Sequence, residues 1–203
     1  MQPSVWSPEL SALVRPYRTL ARLAATPDPA SPLALCARRP LLLLVVVGAF
    51  VSLTTAGRLV LDHLGWSIVG WAFLPALQVA SVAATTALVA RRRLRELPRL
   101  VDLSYLARAP WLVFLVLFTL VHTTLGDPRG TIFSVVFAPP VLAALAACLV
   151  WTRVLDHAFW RAGVGLSWWR ALVAVVLGDV FVFGPAIVWY LATEQLQPIL
   201  ASS

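Results

Sequence analysis

The 203-residue chain is 60% hydrophobic, only 12% charged, and carries a formal net charge of +7. That balance excludes a water-soluble domain, which needs far more charge on its surface. The basic side chains are all arginines flanking apolar runs, so membrane topology and anionic lipid account for the charge, and a nucleic-acid partner is not expected.

Residues 1–39 form a lead. Leu13, Tyr17, Leu20 and Ala24 recur at helical spacing, with Arg15, Arg18 and Arg22 on another face. Two readings fit: a short amphipathic helix in the headgroup region, or a disordered basic lead that enforces topology. Pro16 falls near the first turn of such a helix or breaks it, and Thr26–Pro32 (TPDPASP) reads as a turn or linker. A first span is expected at about 41–61, starting behind Pro40, with no polar side chain over Leu41–Phe50. The lead is too long for a signal-peptide n-region, so this span is expected to remain as an anchor. A second span is expected at about 66–90, marked by Trp66 and Trp71 and containing Pro75 and Gln78. Both meet the requirement of about 20 apolar residues for a crossing.

Arg91–Arg108 is the most charged stretch, with six arginines against Glu96 and Asp102. It reads as a cytoplasmic loop, because arginines near span ends resist translocation. Arg91, Arg92, Arg93, Arg95 and Arg99 are its topology and lipid-headgroup candidates. A short third span follows at about 111–125, able to recruit residues around Leu106, with His122, Thr123 and Thr124 at its outer end. Gly126–Gly130 (GDPRG) is a turn sequence. The fourth span is expected at about 131–151, with Pro139 and Pro140 kinking or breaking it near mid-membrane. Thr152–Arg170 reads as an inner interfacial linker, partly helical and wetted on one face. The fifth span covers about 171–193 and contains Asp179, Gly184 and Pro185; a short tail follows. Fourteen of the sixteen arginines then fall on one side, leaving Arg58 and Arg129 on the other. The expected class is therefore an all-α polytopic membrane protein of the plasma (inner) membrane. It has five transmembrane helices and an amphipathic N-terminal segment, with the N-terminus cytoplasmic and the C-terminus outside.

Intramembrane polar residues are the site candidates: Asp179, His122 and Gln78. A carboxylate at the depth of Asp179 costs about 2.5–3.5 kcal/mol, so it needs a partner. That partner is either a hydroxyl such as Ser81, Thr85 or Thr119, or the ligand of an ion- or proton-linked site. Asp156 and His157 beside Arg153 invite a metal or general-base reading, but adjacent helical residues point apart. Cys36, placed before the first span, and Cys148, within the fourth, have no disulfide or metal-ligand pattern. No nucleotide-binding, nucleophile-elbow, zinc-protease or Cys-x-x-Cys motif occurs, and the three scattered histidines give no haem pair. No cofactor is expected.

The lead RPYRTLARLAATPDP ahead of PLLLLVVVGAFVSL, together with five spans and short outer loops, resembles the bacterial members of the Yip (Ypt-interacting protein) membrane family. That resemblance implies an integral membrane scaffold or adaptor without an enzymatic site. The acidic Asp-Leu-Tyr-Gly-Pro motif of the eukaryotic members is absent, so no functional residue carries over. The first functional expectation is accordingly a non-enzymatic scaffold or subunit of a larger complex. Other membrane subunits and anionic lipids would be its partners, with close helix approach at Ala83, Ala84, Ala87 and Ala143, Ala144, Ala146, Ala147. A second is a small transporter or channel component using Asp179 in a proline-broken bundle. A third is a lipid-acting enzyme with Asp156 and His157 at the headgroup level.

Overall fold

A computed structural model describes residues 7–125 and 139–192, and no strand occurs among them. The segments 126–138 and 193–203, which contain the GDPRG turn, the first part of the expected fourth span and the tail, lie outside the described residues.

Two short helices open the chain. In α1 (Pro8–Val14) the Ser7 hydroxyl accepts the Leu10 N–H at 3.2 Å. In α2 (Pro16–Ala25) the proline stands at the first helical position, where its missing N–H is no loss. Pro16 therefore divides the lead into two helices. Ser31 caps α3 (Pro32–Ala56) by accepting the Ala34 N–H at 3.3 Å. The helix thus starts well before Leu41. Pro40 and Cys36 lie inside it, and Pro40 is tolerated because a span's backbone is re-satisfied by its neighbours. Gly57, at φ 66°, ends α3 in the left-handed conformation that glycine adopts without a Cβ clash. The Ser52 hydroxyl stitches the following turn, donating to the Arg58 carbonyl at 3.0 Å and accepting the Val60 N–H at 2.8 Å.

The second crossing is α4 (Leu61–Trp71) and α5 (Phe73–Val89), broken at Ala72. A 3-10 turn, Arg91–Glu96, leads into α6 (Leu97–Leu106) and then α7 (Ala109–Leu125). Next come α8 (Pro139–Ala158), a π turn (Phe159–Gly163) and α9 (Trp168–Ala192). Pro139 and Pro140 are the first described residues of α8, which runs past the expected end of its span.

Five segments are long and apolar enough to cross a membrane: Pro32–Thr54, Leu61–Val89, Arg93–Val121, Pro139–Gly163 and Trp168–Pro185. The protein is an all-α, polytopic helical membrane protein. Neighbours form a ring in the order α3, α4–α5, α9, α8, α7 and back to α3.

The tightest packing is at one end of this ring, where the arginines gather. Leu20 of α2, Val101 and Leu106 of α6, and Leu155 of α8 are wholly buried there, with Phe159 of the π turn and Ala171 and Ala174 of α9. Two expectations are corrected here. Residues 97–106 form a buried helix packed against α3 and α5, not a wet loop. The first half of the Thr152–Arg170 segment, up to Trp160, is largely buried helix and π turn, whereas Arg161 and Ser167–Arg170 are exposed. In both places the burial is nearly continuous, over 100–107 and 155–160, and Asp102 and Asp156 find arginine partners inside the bundle.

Candidate functional site

The arginine-rich end is built on Asp102. It sits in the middle of α6 and is 2% exposed. Arg38 grips its carboxylate with two parallel bonds, Nε to Oδ1 and Nη2 to Oδ2, each 2.6 Å. Arg39 donates from Nη1 to Oδ2 and to the Asp102 carbonyl at 3.0 Å. The same two arginines reach outward: Arg38 Nη2 lies 2.8 Å from Asp28 Oδ2, and Arg39 Nη2 lies 3.4 Å from Glu9 Oε1. One pair of adjacent side chains on α3 thereby fastens α1, the α2–α3 linker and α6. Forked guanidinium–carboxylate geometry is the strong form of this bond, and it offsets the cost of burying Asp102. The Asp28 carboxyl, outside the spans, is held below its usual range, first by the Ala30 N–H at 2.9 Å and next by Arg38. Arg99 donates to the Leu23 carbonyl at 2.6 Å and to the Thr26 carbonyl. It therefore closes the carbonyl end of α2.

A second cluster joins α8, α9 and the α6–α7 turn. Asp156 Oδ2 accepts from Arg108 Nη1 at 3.2 Å and from Arg153 Nη1 at 3.1 Å. Arg153 Nη1 also stands 2.9 Å from Asp179 Oδ1. The expected hydroxyl partner of Asp179 is thus replaced by an arginine one helix away. Ser81 donates instead to the carbonyl of Gly178 at 3.0 Å, and Thr119 to that of Leu115 at 2.7 Å. Thr85 and Thr86 are fully buried, and their hydroxyls, like Gln78 Oε1, have no hydrogen-bond partner among the described residues. Two carboxylates facing two guanidiniums make a cluster that is neutral when fully ionised.

His157 adds a third tie. Its Nε2 lies 3.3 Å from the carbonyl of Trp168, which can only accept, so Nε2 carries the hydrogen. Nδ1 then accepts the Tyr17 hydroxyl at 2.8 Å. This bond and the Trp151 indole N–H to the Leu13 carbonyl, at 3.1 Å, dock the N-terminal helices on α8. The apolar face read from the lead is thus used, with Leu20 wholly buried and Leu13 and Ala24 partly so. It covers the protein's own helices, while Arg15, Arg18 and Arg22 stay exposed.

Other candidates are less engaged. Arg91, Arg93 and Arg95 are exposed, Arg93 pairing with Glu96 at 2.8 Å. The side chains of Arg92, His122, Thr123 and Thr124 lie outside the described residues. Asp156 and His157 have different partners, and no group of metal-binding side chains occurs among the described residues. Cys36 and Cys148 are free thiols. Asp102, Arg38, Arg39 and Tyr17 had not been singled out as site residues. Their partners lie 64, 63 and 140 positions away in the chain, a distance at which no local periodicity operates. No family model, curated protein or solved structure matches the chain.

Proposed function

We propose that this is a non-enzymatic scaffold or subunit of a larger complex in the plasma (inner) membrane. The arginine-rich end and N-terminus face the cytoplasm, and the far end of α9 points outward. The arginine bias supports that orientation, and the Yip-like lead is in keeping with a scaffold. One contrast carries the functional reading. The buried carboxylates Asp102 and Asp156 are paired with arginines inside the bundle, whereas the alanine flank of α8 is left open. Ala143, Ala144, Ala146 and Ala147 are all exposed, and small side chains let a neighbouring transmembrane helix approach closely. Ala144→Trp should therefore break the assembly into smaller species on a native gel, with the spans intact. Unchanged migration of the mutant complex argues against this role.

A second reading, a small transporter or channel component, draws support from a different observation. Gln78, Thr85 and Thr86 bring unpartnered polar atoms to the buried side of α5, and Asp179 is partly open. On that reading Asp179→Asn abolishes a proton-coupled flux in liposomes without unfolding the chain, and an unaltered flux excludes it.

A further inference from the structure

Where the end of α5 meets the start of α9, the wall of the ring carries a groove of about 320 Å³, lined by Leu88, Val89, Trp169, Arg170 and Val173. Leu88, Trp169, Arg170 and Val173 are exposed, Leu88 at 65% and Trp169 at 70%, while Val89 is half-buried against the core. The groove therefore opens on the outside of the bundle and not into its interior. Its volume falls within the range of about 300–1,000 Å³ typical of small-molecule sites.

The lining is amphiphilic in an ordered way. Leu88, Val89 and Val173 are aliphatic, Trp169 is an interfacial residue type, and Arg170 is the single charge. Arg170 has no ion-pair partner among the described residues, unlike the bundle's internal arginines. Arg91, on the chain leaving α5, is also exposed but does not line the groove. No carboxylate lines the groove to compete. A ligand that fits needs an aliphatic chain to lie along α5 and α9 and an anionic head at the level of Arg170. A planar guanidinium matches a phosphate bidentately. We propose that this groove holds one anionic phospholipid, its phosphate on Arg170 and an acyl chain against Leu88, Val89 and Val173. The site stands whether or not the chain is a complex subunit, since it depends only on the bundle lying in a bilayer.

The test uses the full chain in mild detergent, supplied with phosphatidylglycerol or phosphatidylcholine of identical acyl chains. Retained lipid is counted by native mass spectrometry. The expected result is one phosphatidylglycerol kept per chain, preferred over phosphatidylcholine. Arg170→Gln should lower its retention about fivefold, the scale of one interfacial arginine. Arg170→Lys should keep part of it. Arg91→Gln, which leaves the groove lining intact, should change little. Val173→Trp, which fills the trough, should reduce both lipids. Equal retention of the two lipids by the unaltered chain overturns the proposal. So does undiminished phosphatidylglycerol in Arg170→Gln, or an equal loss in Arg91→Gln, which would reduce the effect to general surface charge. Should Val173→Trp fail to fold, the three arginine variants decide the question alone.

Discussion

The two ends of the bundle are built differently. At the arginine-rich end, α6 buries Leu100 through Ala107 without interruption, and Asp102 and Asp156 are held by arginines from other elements. At the opposite end α4 has no buried residue at all: Leu61 is 83% and Trp66 78% exposed. Lipid tails are as apolar as leucine, so burying leucine against leucine gives little drive for helices to associate within a bilayer. Contacts that lipid cannot imitate must specify the arrangement, and here these are forked ion pairs and hydrogen bonds. They concentrate where the N-terminal helices, α6 and the π turn close the ring. At the far end lipid is an adequate neighbour, and the Ser52 stitch suffices to set the turn.

Breaking the Asp102 hub should have the largest effect. Asp102→Leu leaves Arg38 and Arg39 without their shared acceptor. Removing one partner of a buried pair costs about 3–5 kcal/mol. The lower part of that range applies because the Arg38 side chain is 41% exposed and can hydrate. The thermal midpoint in detergent should fall sharply, and an unchanged midpoint would remove the hub from the account. Arg153→Met comes next. It strips Asp179 of its ion-pair partner and leaves Asp156 with Arg108 alone, for about 2 kcal/mol on the scale of bonds to charged groups. Combining it with Asp179→Leu should recover part of the loss, and simple additivity would mean the two are not coupled. Tyr17→Phe removes a single bond to His157, worth about 1 kcal/mol. It should speed limited proteolysis in the Thr26–Pro32 linker as α2 releases, while the midpoint of the spans barely moves. Cleavage at the original rate would show that apolar contacts alone dock α2. Trp66→Ala, at the lipid-clad end, should stay within about 0.5 kcal/mol. A loss comparable to that of Asp102→Leu would erase the contrast between the ends.

The sequence carries this division unevenly. Five apolar runs, their alternation and the arginine bias were readable because hydropathy acts locally. Pro40 resembles a span boundary and hides the true start of α3, where Ser31-Pro32 supplies a cap and a first-turn proline. α6 reads as a loop in the sequence because Asp102 and the flanking arginines make LPRLVDLSYL look wet. A charge in an apolar run has two readings, solvated or paired. Only the fold brings Arg38 and Arg39 to it. The same ambiguity hid the partner of Asp179. A usable signal is present nonetheless: Arg38-Arg39 and Asp102 are opposite charges at the same end of the first and third spans, where pairing is the cheapest solution.

On the proposed reading, the ionic groups brace one end of the bundle and leave its open flank to engage other membrane proteins. Intact mass measurement after extraction from native membranes in gentle detergent tests it most directly. The account predicts a discrete assembly well above the 22.1 kDa of one chain, collapsing toward the single chain in Ala144→Trp. A lone chain from unaltered membranes, active in an Asp179-dependent flux, would contradict it.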